Sequence, residues 1–275
     1  MKHFHLLNSG KNTGLIRIHI ILMCLSFAAC QESVEETASA PAPEGMVTIK
    51  GNGADIPDLY MDATEVTTAD YKDFVEATNY KTEAEDFGWS GVFSKDSLGW
   101  LPVDDATWRF PLGPDSAAAQ PEHPVTQLSM RDVRAYAEWA GKRLPTEAEW
   151  IWAASQGGQF PEFPWGKEMV PDPENYPGNW WQGPFPYEDA VLDGFPGIAP
   201  VKSFPPADNG LYDISGNVWE WTTSKKSATG EFVIKGGSFL CSTSYCTGFN
   251  FQQRQFTPAD SGLNHLGFRC VKDAK

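Results

Sequence analysis

Three stretches of the chain place apolar residues at helical spacing directly behind a capping signal. Thr67 or Thr68 can cap a helix that carries Tyr71, Phe74 and Val75 on one face and ends near Asn79. Ser129 and Asp132 resemble a capping box, followed by the stripe Val133, Tyr136, Ala137 and Ala140, with Gly141 as the stop. Thr146 and Glu149, just after Pro145, open a third helix through Trp150 and Ala154. Beyond Gln156 the spacing of Pro and Gly permits only short strands and turns. Val233 to Lys235 and Gly267 to Val271 are the better strand candidates there. No internal repeat is present. The pattern predicts an α+β fold with much irregular structure.

The first thirty residues follow a different logic. Lys2, Lys11 and Arg17 precede an apolar run from Ile18 to Phe27, broken by His19, and Ala28, Ala29 and Cys30 follow. This order matches a bacterial export signal, and Phe27-Ala28-Ala29-Cys30 resembles a lipobox with Cys30 as the lipidated residue. The run is shorter than the ~20 residues of a transmembrane helix. An ordinary cleaved signal peptide is the alternative. Gln31 to Glu44, rich in Glu, Ala, Ser and Pro, reads as a disordered tether. These segments place residues 1–30 as the lipoprotein signal, 31–44 as the tether and 45–275 as one domain, on an exported protein of the bacterial cell envelope held to the membrane by its N-terminal lipid.

Charge narrows the partners. The chain carries −15, and −18 once the three basic charges of the leader are gone. Such a surface repels nucleic acid and anionic lipid. Gly (25), Pro (21) and eleven Trp describe a loop-rich globule held by aromatic packing, which bound ions would help to order. Of the five cysteines, Cys24 lies in the leader and Cys30 at the lipobox, leaving Cys241, Cys246 and Cys270. Three is odd, which argues against a purely structural disulfide framework.

Cys241 and Cys246 stand just after Gly236-Gly237-Ser238. Five residues apart, they do not fit the usual zinc spacings. In a regular strand an odd offset sends the two side chains to opposite faces, so joint action requires the residues between them to bend. A disulfide, idle core thiols and a metal-binding redox pair all remain open, and spacing alone favours the disulfide.

Several longer runs carry a resemblance. They are Leu59 to Val66, Trp100-Leu101-Pro102-Val103, Gly113 to Ser116, His123-Pro124-Val125, Gly141 to Trp150, Gly210 to Trp221 and Leu266 to Cys270. With them the chain resembles the formylglycine-generating enzyme family from about Leu59 to Asp273. The runs Arg143-Leu144-Pro145-Thr146-Glu147-Ala148-Glu149-Trp150 and Gly216-Asn217-Val218-Trp219-Glu220-Trp221 are specific to that superfamily, whose non-catalytic members carry them too. The resemblance implies a single loop-rich domain of C-type-lectin-like topology. It further implies that Cys241 and Cys246 bind one Cu(I) and that O2 is used to oxidise a cysteine of a sulfatase-like polypeptide to Cα-formylglycine. Soft thiolates suit Cu(I), with room for a substrate thiolate as a third ligand. Ser238 matches the active-site serine, and Trp219 lines the same pocket or packs in the core. Two calcium sites are implied as well. Asn179 and Asp193 join the carbonyls of Trp180 and Phe195 in the first, and Asp213 and Glu220 join those of Gly216 and Val218 in the second. All-oxygen sets of this kind suit Ca2+, and each acid could equally be a turn or cap residue. A monomer is expected.

The chain departs from the family pattern near the substrate. Thr247-Gly248-Phe249-Asn250 stands where a basic run is usual, leaving Arg254 as the basic match, and Ser242-Thr243 replaces His-Arg. Trp89, followed by Ser90, stands where an acid would meet the arginine of a Cys-x-Pro-x-Arg motif, a contact worth about 1.5–3 kcal/mol. These changes predict an altered peptide preference. Cys270 has Ala137 and Ala154 where disulfide partners would be, and is expected to be a buried free thiol. The alternative to the oxidase is a non-catalytic envelope lipoprotein of the same fold, acting as a binding or structural component. An iron-dependent sulfoxide synthase of the same fold would need a histidine triad, and only His123 and His265 lie outside the leader.

Overall fold

The three expected helices are all present, and a fourth joins them. The computed structural model describes residues 41–172 and 174–274, so the leader, Cys30 and most of the tether lie outside the described residues. Helix α1 spans Thr68–Thr78, α2 Glu83–Phe87, α3 Met130–Trp139 and α4 Glu147–Ala154. Each opens on a reciprocal capping box, with Thr67/Asp70, Thr82/Glu85, Ser129/Asp132 and Thr146/Glu149 satisfying one another's backbone N–H groups. Helix α2 carries the same signal but buries only Ala84, so no apolar stripe announces it. All four are too short to persist alone and depend on tertiary packing. Tyr71 and Phe74 of α1 meet Tyr136 of α3 at ring-centroid distances of 5.8 and 5.7 Å.

Among the described residues, nine short strands form three sheets. Strands β1 (Met46–Ile49), β2 (Leu59–Asp62) and β9 (Val271–Asp273) run antiparallel in the order β1-β2-β9. Strands β3 (Trp89–Ser94) and β4 (Gly99–Asp104) form a hairpin. Strands β5 (Trp219–Lys225), β6 (Phe232–Lys235), β7 (Gln255–Thr257) and β8 (Leu266–Gly267) pair in the order β7-β6-β5-β8, with β5 and β8 parallel. The chain is a loop-rich α+β domain, as expected. Strands β2 and β6 are buried at every position, so period-two alternation is absent from both.

The strand expected over Gly267 to Val271 is interrupted. Gly267 ends β8, Val271 begins β9, and Phe268-Arg269-Cys270 cross between two sheets. The Phe268 carbonyl accepts from Val66 N and the Cys270 carbonyl from Asp62 N, both at 2.9 Å. Arg269 is fully buried and explains the break. Its guanidinium donates to the Glu220 carboxylate at 2.8–2.9 Å and to the carbonyls of Asp62, Ala63 and Tyr212. A buried guanidinium is tolerated only when its donors are met, and a regular strand would turn it away from these acceptors. Cys270 is a buried free thiol, as expected, and burial raises its pKa well above the ordinary value.

Lys235 fixes the segment that follows the cysteine pair. Its buried ammonium donates to the carbonyls of Phe251 (2.8 Å) and Gln253, and burial pushes its pKa down to about 8. The loop leaving Cys246 is thereby tied to the end of β6.

Candidate functional site

Strand β6 ends at Lys235, and Gly236 and Gly237 turn the chain with φ of 95° and 77°. Only glycine adopts this pair of conformations without strain. Any side chain at Gly237 would strike the backbone of Phe249. The turn delivers Ser238, whose carbonyl accepts from Cys241 N at 2.9 Å. Ser242 then accepts from Cys246 N at 3.0 Å, folding the intervening residues back on themselves. The required bend is present. It brings the Cα atoms of Cys241 and Cys246 to 4.6 Å, with the two sulfurs joined in a disulfide.

The pair lies against a cavity of about 270 Å3, with Cys241 1% and Cys246 7% exposed. Ser238 and Trp219, both buried, line it. Trp219 is held from behind by Gly248, where any side chain would collide with the indole. Aromatic residues form the mouth. Trp100 projects from β4, and Tyr245 stacks on Phe185 at 4.4 Å between ring centroids.

Among the lining residues not anticipated as site residues, two hydrogen-bond to the cysteine pair or to Ser238. Gln255, in β7, donates from Nε2 to Cys246 Sγ at 3.4 Å. His265, just before β8, places Nδ1 3.2 Å from Ser238 Oγ and packs at a tilt of 60° against Trp100, 4.7 Å between ring centroids. Burial holds the His265 imidazole neutral by pushing its pKa down to about 3. No local motif marks either residue, since each meets the site through tertiary contact. His265 is 27 positions from its partner Ser238.

The residues that depart from the family pattern have clear structural roles. Phe249 is buried and stacks on Trp180 at 5.2 Å, so the middle of the replaced basic run, Gly248 and Phe249, is core while Thr247 stays exposed. Arg254 pairs with Glu147 at 3.0 Å and does not line the cavity. A second cavity of about 200 Å3 shares Leu263 with the first, and Trp89, Ser90, Phe87 and Asp260 line it. Trp89 is about half exposed there, while Ser90 Oγ is buried within hydrogen-bond reach of two acceptors, Gln127 Oε1 and the Gly262 carbonyl, which share its single hydrogen.

Both sets of expected calcium ligands are brought together in part. In the first, Asp193 accepts from the N–H groups of Trp180 (3.1 Å) and Phe195 (2.9 Å), and Asn179 Oδ1 is buried without a hydrogen-bond partner. In the second, Asp213 Oδ1 is likewise buried and unpartnered, with burial raising the Asp213 pKa to about 6. Gly216 is fixed by its N–H bond to the Gly236 carbonyl, and Val218 is fully buried just ahead of β5. Glu220, however, is already engaged. Both its oxygens accept from Arg269, and Oε2 also accepts from Trp150 Nε1 at 2.7 Å. Glu65 Oε2, also buried and without a hydrogen bond, adds a second carboxylate beside that guanidinium at 4.0 Å.

Comparison with known proteins matches residues 34–274 to the sulfatase-modifying factor enzyme 1-like domain. The chain is 43% identical over 263 residues to the formylglycine-generating enzyme of Mus musculus, covering 84% of this chain and 68% of that protein. It is 38% identical over 285 residues to the formylglycine-generating enzyme of Thermomonospora curvata, covering 84% and 94%. It is also 41% identical over 235 residues to the inactive C-alpha-formylglycine-generating enzyme 2 of Bos taurus, covering 78% and 77%. Among solved structures, PvdO from Pseudomonas aeruginosa shares the fold, with a TM-score of 0.59 at 18% identity over 86% of this chain and 93% of that one.

Proposed function

This chain belongs to the sulfatase-modifying factor enzyme 1-like family, and on that footing we propose that it oxidises a cysteine of a sulfatase-like polypeptide to Cα-formylglycine, using O2 and one Cu(I). Family membership alone does not separate active from inactive relatives. The observation that carries the proposal is the convergence of buried Cys241 and Cys246 on a cavity that Ser238 and Trp219 also line.

The donor set suits the metal. Once the disulfide is reduced, Cys241 and Cys246 offer two soft thiolates in a largely dry recess, the chemistry that selects Cu(I). Bound copper supplies the activation of O2. The chain's own residues do the rest. The bend over Ser242 to Cys246 keeps the two sulfurs converged, and Gly248 and Trp219 close the recess from behind. Ser238 offers a hydroxyl beside the sulfurs. The aromatic mouth admits a peptide and excludes water, which strengthens every polar contact inside. The exposed indole of Trp89 in the adjoining cavity supports a peptide preference different from Cys-x-Pro-x-Arg.

Calcium fits the first set of oxygens better than the second. The unpartnered Asn179 Oδ1 needs a donor or a cation, whereas Glu220 already serves Arg269. The leader and Cys30 support an exported, lipid-anchored envelope enzyme, which fatty-acid labelling of wild type against Cys30→Ser checks.

The test is incubation of the purified protein with Cu(I), O2, a thiol reductant and a panel of cysteine peptides that includes Cys-x-Pro-x-Arg. An aldehyde product detected by mass, lost in Cys241→Ser and Cys246→Ser, is the expected result. Failure to convert any peptide, in protein shown to hold copper, returns the chain to a binding role in the envelope.

A further inference from the structure

His265 is the one imidazole lining the cavity, and its placement is over-determined. Its carbonyl accepts from Trp219 N at 2.8 Å, anchoring its backbone to the start of β5. Its ring rests on Trp100 at 4.7 Å, and its Nδ1 lies 3.2 Å from Ser238 Oγ. Ser238 Oγ in turn accepts from Leu240 N at 3.3 Å. Three different elements thus hold one imidazole against one hydroxyl beside the cysteine pair.

The direction of that hydrogen bond follows from a count of polar groups. If Nδ1 carries the ring proton, it donates to Ser238 Oγ. The hydroxyl hydrogen then has no acceptor in the protein. If Nε2 carries the proton, the Ser238 hydroxyl donates to Nδ1, Leu240 N donates to Oγ, and only the Nε2 proton lacks a protein partner. Each unmet buried group costs roughly 1–3 kcal/mol, so the second arrangement prevails. In it, Ser238 has spent its only hydrogen on His265 and one lone pair on Leu240. The remaining lone pair is free to face the cavity.

We propose that His265 is a positioning residue of the cysteine site. It accepts the Ser238 hydroxyl hydrogen at Nδ1 and thereby fixes Ser238 as a hydrogen-bond acceptor toward the incoming substrate thiol. The inference rests on the oxidation proposed above and adds how the substrate is oriented. A cysteine S–H enters the cavity pointing at Ser238 Oγ, which sets its sulfur beside Cys241 and Cys246. The ring remains neutral and holds one tautomer, as a fixed acceptor requires.

Two measurements test this. In 15N-histidine-labelled protein, Nδ1 of His265 is expected to resonate as an unprotonated, hydrogen-bonded nitrogen and to shift in Ser238→Ala. A protonated Nδ1, or one insensitive to Ser238→Ala, overturns the proposal. In peptide oxidation, His265→Ala is expected to lower kcat about tenfold with KM changed less than about twofold. His265→Asn places an amide oxygen near the position of Nδ1 and is expected to restore most of kcat. Wild-type kcat in His265→Ala, or no rescue by Asn in a protein of normal stability, counts against it. A wild-type protein that oxidises no peptide defeats the oxidation reading instead, and the nitrogen resonance then decides the hydrogen bond by itself.

Discussion

Gln255 Nε2 donates to Cys246 Sγ across 3.4 Å, joining strand β7 to the cysteine pair. After reduction the same N–H stabilises the Cys246 thiolate, because a hydrogen bond to the charged form favours it. In a Cys241→Ser background, Gln255→Leu is expected to slow alkylation of Cys246 at neutral pH about fivefold, the equivalent of about 1 kcal/mol. An unchanged alkylation profile would show that the contact has no electrostatic role.

Gly248 marks where the loop after Cys246 presses on Trp219. A methyl there must displace either the indole or the Gly237 turn, and both flank the site. Gly248→Ala is expected to cost about 1–3 kcal/mol in chemical denaturation and to lower peptide oxidation more than stability alone explains. Full activity in the variant would mean that the loop yields without moving the cavity.

Glu220 and Arg269 form a buried pair on which the crossing from β8 to β9 depends. Glu220→Ala leaves the guanidinium without its principal partner and is expected to destabilise the domain by about 3–5 kcal/mol. Since Glu220 serves Arg269, the loss is expected to be the same with calcium or with a chelator. A loss seen only in calcium would restore Glu220 as a metal ligand.

Calcium is expected to raise the melting temperature through Asn179 and Asp213, whose buried Oδ1 atoms lack partners. At a hundredfold excess over Kd, one site contributes about 2.7 kcal/mol. Asn179→Ala should remove much of the shift between calcium and chelator, and Asp213→Ala the remainder. A wild-type melting temperature indifferent to chelator would show that these atoms serve another purpose.

Acid should destabilise the domain through His265. Its folded-state pKa of about 3 lies below the unfolded value of about 6.5, so only the unfolded chain takes up this proton between the two. The stability tied to His265 is therefore complete above about pH 6.5 and is lost progressively as pH falls toward 3. The expected loss from this group is about 2 kcal/mol at pH 5, and His265→Asn should remove that component from the pH profile.

Much of the local structure was legible in advance. Each expected helix begins at its capping pair, because a Thr or Ser with an acid three residues on satisfies N–H groups within its own turn. Helix α2 carried the same signal and escaped notice for want of a buried stripe. The strands were harder to see. β2 and β6 are buried throughout, and β8 is two residues long, so neither alternation nor length distinguishes them. Joint action of Cys241 and Cys246 required a bend between them, and the Ser242 carbonyl supplies it.

What the sequence determined by itself is therefore the chemistry that can be stated within one turn or one motif. This covers the caps, the Gly-Gly turn and the bent cysteine pair, together with the family that its longer runs resemble. Tertiary structure alone decided which distant groups meet. It set Arg269 on Glu220, Lys235 under the loop that follows Cys246, Gln255 on Cys246 and His265 on Ser238. The reason is physical. A cap or turn is satisfied by neighbours along the chain, whereas a buried charge or imidazole takes whichever partners the packing of several elements brings within hydrogen-bond reach.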